Sequence, residues 1–169
     1  MKKTIIYLAS AALLISFYSC SKDSSSSSTS APSASGLAAG KSAISFNYSG
    51  AASGSFASTD LVSSATKNTT YGTISGMTVS GSSSEIMMFI QPFSQTGSIS
   101  FKALASSAAN AVSFSKGSKG WAAGAGDDFT IEITKNDGAT VEATFSGTLT
   151  NDTDSTKITI TNGKLAAKY

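Results

Sequence analysis

Four groups of side chains in this sequence combine residue types and spacing that could do chemistry. Asp127-Asp128 follows Gly124-Ala125-Gly126, and neighbouring carboxylates can share a proton or hold a cation; with Glu132 or Glu142, Asp127 would make a carboxylate-only hydrolase. The same pair reads equally as an exposed loop entering a strand at Phe129. Asn151-Asp152-Thr153-Asp154-Ser155 brings several oxygens into one loop, which makes Asp152 and Asp154 a calcium candidate. The loop lacks the central glycine and distal glutamate of an EF-hand, and a solvated turn uses the same residues. Ser113-Phe114-Ser115-Lys116 has the Ser-x-x-Lys spacing in which lysine deprotonates serine, but that mechanism needs a helix. Val112 and Phe114 alternate as in a strand, which sends Ser113 and Lys116 to opposite faces. Trp121, Tyr71 and Tyr48 could form a platform on which sugar rings stack, or the tryptophan could belong to the core.

What is missing constrains the chemistry further. The 169 residues include no histidine, all 12 cationic side chains are lysine, and cysteine occurs once, at Cys20. A Ser-His-Asp triad, an imidazole base and a His-ligated zinc are therefore excluded, as are the bidentate guanidinium forks that grip phosphate. Gly36-Leu37-Ala38-Ala39-Gly40-Lys41-Ser42 has one residue too few between its glycines for a phosphate loop, and no strand precedes it. No cofactor is implied. The formal charge is +2. Lys2 and Lys3 account for all of it, so the remainder is neutral and leaves no electrostatic footprint for nucleic acid.

The elements that must carry these groups are strands. Apolar and hydroxyl side chains alternate along Ile44 to Tyr48, Ile99 to Phe101, Phe129 to Thr134, Val141 to Leu149, Ile158 to Ile160 and Leu165 to Tyr169, as in half-exposed antiparallel sheets. Ile86-Met87-Met88-Phe89-Ile90 is apolar on both faces and reads as a central strand stopped by Pro92. Asn136-Asp137-Gly138 predicts a tight hairpin in which aspartate and glycine take positive φ. Leu104 to Ala111 is the one helical candidate. The expected fold is all-β, a single antiparallel sandwich or barrel-like domain of nine or so strands spanning residues 41–169.

Ahead of that domain, Met1 to Lys3 is basic, Thr4 to Phe17 is almost wholly apolar or small, and Tyr18-Ser19-Cys20 follows, which is the order of an export signal. The apolar run of about 14 residues falls short of the roughly 20 that span a bilayer as a helix, so cleavage is expected. Residues 20–40 are rich in Ser, Ala and Gly, with five serines at Ser24 to Ser28. Such a segment behaves as a flexible tether with a span of about 25 Å over its roughly 20 residues.

Phe17-Tyr18-Ser19-Cys20 resembles the lipobox of bacterial lipoproteins. That resemblance implies cleavage of a signal peptide, residues 1–19, between Ser19 and Cys20, and lipidation of Cys20 as the membrane anchor. Ser21-Lys22-Asp23 resembles part of the signal that sends Bacteroidetes lipoproteins to the cell surface, and Asp154-Ser155-Thr156 resembles the O-glycosylation acceptor of their exported proteins, with Ser155 as acceptor. The carboxy-terminal stretch Val141 to Tyr169 resembles a family of small Bacteroidetes lipoproteins of unknown function. Phe145 and Ile160-Thr161-Asn162-Gly163-Lys164 carry the match, with Leu165 where phenylalanine is usual and Ala143 where glycine is common. The family resemblance implies an all-β surface lipoprotein and brings no activity.

The expectation from sequence is thus a lipid-anchored protein of the cell envelope, held on the outer membrane and facing outward rather than into the periplasm. It would serve as a non-catalytic structural or interaction module for an envelope partner. The competing expectation is an extracellular glycan- or polymer-binding module built around Trp121.

Overall fold

A computed structural model describes residues 32–169, apart from 59–62, 68–71, 81–82, 92, 94, 107 and 109. Ser19, Cys20, Tyr71 and Pro92 lie outside the described residues. In chain order the strands are β1 (Lys41–Gly50), β2 (Gly54–Ala57), β3 (Ser63–Lys67), β4 (Gly72–Ser80), β5 (Ser83–Gln91) and β6 (Gly97–Ser100). They continue with β7 (Ala111–Lys116), β8 (Lys119–Ala123), β9 (Phe129–Asn136), β10 (Thr140–Thr150) and β11 (Lys157–Lys168). All eleven join one antiparallel sheet in the order β2-β1-β11-β10-β8-β7-β5-β4-β3, with a side branch in which β9 pairs with β10 and β6 with β9. The sheet curls into a half-barrel, so the fold is all-β, as the alternation predicts.

Curling brings β3 and β4 back beside β1, where serine side chains do the work of a ladder. Ala65 N donates to Gly40 O at 2.8 Å and Ser58 N to Ile44 O at 2.9 Å. The fully buried Ser42 receives the Ser63 hydroxyl oxygen on its amide at 3.1 Å and donates its own hydroxyl to Ser75 O at 2.6 Å. Each bond satisfies a backbone group that burial would otherwise leave unpaired.

The inside of the curl is filled by rings. Phe145, on β10, lies 4.9 Å from Phe89, 5.9 Å from Phe46 and 6.2 Å from Phe129 between ring centroids, bridging β1, β5 and β9. Its position depends on glycine. A Cβ on Gly163 would stand 2.3 Å from Phe145 O and 2.4 Å from its ring, and one on Gly147 would meet Asp128 O at 2.4 Å. The β10–β11 register shifts between Phe145 and Gly147, and Asn162 takes the left-handed conformation at φ 54°, which asparagine tolerates better than most residues.

Four expectations need correction. No helix forms among the described residues of 104–110; a single 3-10 turn at Phe101–Ala103 precedes them, because eight residues supply too few internal hydrogen bonds to hold a helix without a packing face. β5 is flanked by β4 and β7, as expected of a central strand, but among its described side chains only Met87 and Phe89 are buried and Ile86 is 39 % exposed, since the half-barrel covers just one face of the sheet. In the β9–β10 hairpin only Gly138 takes positive φ, at 83°; Asp137 instead accepts the amides of Ala139 and Thr140 at 3.0 and 2.7 Å. Finally, the folded part begins before residue 41. Ala34 is fully buried in a 3-10 turn against β10 and β11, and its amide donates to Glu142 Oε1 at 2.9 Å.

Candidate functional site

The carboxylates singled out by sequence lie on separate pieces of backbone. Asp127 Oδ2 accepts the Gly124 amide at 2.7 Å and so closes the loop between β8 and β9. Glu142 holds Ala34, and Glu132 sits on the outer face of β9, exposed, opposite Thr144 of β10. Asp128 is exposed, and its carbonyl accepts the Thr148 amide at 2.8 Å. No group of three or more His, Cys, Asp or Glu gathers among the described residues. Asp127 and Glu142 thus each hold a backbone amide, at different places in the fold.

The β10–β11 loop behaves alike. Asn151 Oδ1 accepts from the amides of Thr153 and Asp154 at 2.8 and 3.1 Å, and Asp154 Oδ1 accepts from the Thr156 amide and hydroxyl at 3.0 and 2.6 Å. Those Thr156 bonds hold the Asp154 carboxyl below its usual range, with Lys119 at 3.7 Å adding to the effect. Asp152 is exposed beside it. The calcium candidate is thus an Asx turn whose oxygens point at its own backbone. Ser155 is exposed at φ 56° at the end of this turn.

Of the expected stacking platform, the described members Trp121 and Tyr48 are both buried, and Tyr71 lies outside the described residues. Trp121 is 2 % exposed, lies parallel to Phe114 at 6.2 Å and donates its indole N–H to Thr156 Oγ1 at 3.2 Å. A surface depression of about 400 Å³ borders it, between β7, β8 and the Asn151–Thr153 turn. With so little of the indole exposed, no ring face is offered to a ligand there. Tyr48 is 3 % exposed and packs in the same aromatic cluster.

Tyr48 has a different partner set, which sequence reasoning missed. Its hydroxyl donates to Glu85 Oε1 at 2.9 Å and accepts from Lys116 Nζ at 2.5 Å, while Lys116 pairs with the same Glu85 oxygen at 2.8 Å and lies 5.1 Å from the Tyr48 ring centre. Burial pushes the Tyr48 hydroxyl up, opposed by the Lys116 bond. The hydrogen bond to Glu85 raises the Lys116 ammonium to about 12, which keeps it charged and makes it a poor base. Ser113 stands opposite Met88 and Ala122 and takes no part in this cluster, so the Ser-x-x-Lys arrangement is absent. The trio ties β1 to β5 and β7 across the curl. The lone acid in the Ser-rich start of β5 and the lysine just before Gly117 are the sequence signals that could have found it.

A second polar group forms on the outer face of β9, β10 and β11, in a depression of about 400 Å³ lined by Thr130, Glu132, Thr144, Ser146, Asn162 and Lys164, with Phe145 and Gly163 beneath. Register places these residues in rows: Ser98, Glu132, Thr144, Lys164 and Ser45 run across five strands, and Ser100, Thr130 and Ser146 across three. Among the described residues no hydrogen bond or ion pair ties down the side chains of Thr130, Glu132, Thr144, Ser146 or Asn162. Sequence reading assigned these positions to solvent as the polar half of each alternating run, and nothing in a single strand marks the neighbours it will acquire.

Comparison with protein families, characterised proteins and solved structures found no match to this chain.

Proposed function

We propose that this protein is a lipid-anchored lipoprotein of the cell envelope whose half-barrel is a non-catalytic interaction module. One observation carries the non-catalytic part. Of the eight described carboxylates, Glu85, Asp127, Asp137, Glu142 and Asp154 are committed to backbone amides, hydroxyls or a lysine of the same chain, the other three, Asp128, Glu132 and Asp152, are exposed on three different segments, and the interior is packed with rings. Acid–base work needs a carboxylate that can approach a substrate proton. The committed carboxylates serve the fold instead.

The anchor rests on the lipobox resemblance at Cys20. About 13 residues of sequence separate Cys20 from Ser33, where the chain is held against Glu142. On this reading the end of the half-barrel that carries Lys41 and Lys168 lies toward the lipid, and the Asn151–Thr156 turn points away from it. Metabolic labelling with an alkynyl fatty acid tests the anchor: the intact protein should label and fractionate with membranes, and Cys20→Ser should do neither. Label retained by Cys20→Ser would refute it. Turnover of any substrate by the purified protein, lost on substituting a carboxylate, would refute the non-catalytic part.

A further inference from the structure

The outer depression on β9, β10 and β11 gathers Thr130, Glu132, Thr144, Ser146 and Asn162, whose side chains have no partner among the described residues. We infer that this depression binds a neutral, hydroxyl-rich ligand, a segment of a glycan chain, through Glu132, Thr144, Ser146 and Asn162. The inference rests on the reading of the domain as an interaction module and supplies its site and ligand class.

Four observations converge on this surface. The depression, about 400 Å³, falls within the roughly 300–1,000 Å³ of small-molecule sites. Its lining holds one carboxylate, Glu132, and one ammonium, Lys164, so the net charge is zero and neither an anionic nor a cationic ligand is favoured. The Glu132 carboxylate accepts, and the hydroxyls and the Asn162 carboxamide both donate and accept, which is the complement of vicinal sugar hydroxyls. The concavity is also built into the backbone. The shifted β10–β11 register and the left-handed Asn162 together bend the sheet at the level of these side chains. The Trp121 depression, equal in volume, differs in that its one carboxamide, Asn151, is spent on its own turn. Finally, the row one step nearer the amino terminus of β10, Glu142 and Ala166, is already covered by the Ala34 turn, so the depression is the next open row beyond the point where the tether docks.

The test is a titration of the intact protein in detergent micelles with a panel of neutral cello-, manno-, xylo- and chito-oligosaccharides, followed by amide 1H–15N shifts. At least one probe at millimolar concentration should perturb amides of residues 130–132, 144–146 and 162–164. Thr144→Val and Asn162→Gly should each weaken that binding at least tenfold while leaving the melting temperature nearly unchanged, since valine is isosteric with threonine and glycine adopts positive φ freely. Perturbation confined to the Asn151–Thr156 turn, or none with any probe, would overturn the site and leave the non-catalytic reading standing. Cleavage of a bound probe, abolished by Glu132→Gln, would support the site and overturn the non-catalytic reading.

Discussion

The two faces of β9, β10 and β11 are made by the same residues read alternately, and they differ in how much freedom each side chain keeps. On the inner face Phe129, Ile131, Ile133, Val141, Phe145, Leu149, Ile158 and Ile160 are all at most 4 % exposed, and Phe145 is locked between three other rings and Gly163. On the outer face Thr144 and Ser146 flank that same phenylalanine, exposed and tied to no other described residue. The contrast teaches that in this sheet stability is concentrated on one side of each strand, which frees the other side to be used. Substitutions should therefore separate cleanly into those that unfold the protein and those that leave it folded.

The largest expected effect lies on the inner face. Phe145→Ala should cost about 3–5 kcal/mol, since removal of the ring leaves a cavity that Phe46, Phe89 and Phe129 cannot all collapse into; chemical denaturation measures it. Gly163→Ala should follow at roughly 1–3 kcal/mol, because the new methyl meets Phe145 backbone and ring well inside van der Waals contact. Ser42→Ala should cost about 1 kcal/mol by removing the hydroxyl that donates to the Ser75 carbonyl at the closure of the curl. If Thr144→Val cost as much as any of these, the contrast between the faces would fail; the expected change is within about 0.5 kcal/mol.

Titration sharpens the contrast at the rim near the chain terminus. The Tyr169 hydroxyl is buried with no hydrogen-bond partner among the described residues, and burial raises it to about 12 from an ordinary 10. A folded-state value above the unfolded one means that the folded protein holds the proton longer, so stability falls as pH rises from about 10 toward 12. Tyr169→Phe should remove that loss, and its melting temperature should overtake the parent's progressively above pH 10. Asp137 works in the opposite direction. The hydroxyl and amide of Thr140 lower it to about 2 from 3.8, so its contribution is present above about pH 4 and disappears as pH falls toward 2. Melting temperatures of Asp137→Asn and the parent should differ at neutral pH and converge near pH 2.

Much of the fold was legible because period two is a local signal. Phe129 to Thr134 and Val141 to Leu149 alternate in the sequence and face inward and outward in the structure as read. The hairpin at Asn136-Asp137-Gly138 was also legible, although the mechanism is a carboxylate accepting amides rather than a second positive φ. Trp121 was not, because a tryptophan set among glycines and alanines looks the same whether it faces Phe114 or solvent; only the curl decides. Nor was the Tyr48–Glu85–Lys116 trio, whose members come from β1, β5 and β7. The outer depression is the extreme case. Thr130, Glu132, Thr144, Ser146 and Asn162 come from three strands, and what they share, the lack of a side-chain partner among the described residues, is a property of the assembled sheet.

The measurement that bears most directly on the outer face as the working surface is a thermal-shift titration of the parent and Asn162→Gly with the neutral oligosaccharide panel. We expect the parent's melting temperature to rise with ligand concentration for at least one member, as binding to the folded state requires, and Asn162→Gly to stay flat. An equal rise in both proteins, or no rise in either, would contradict that assignment.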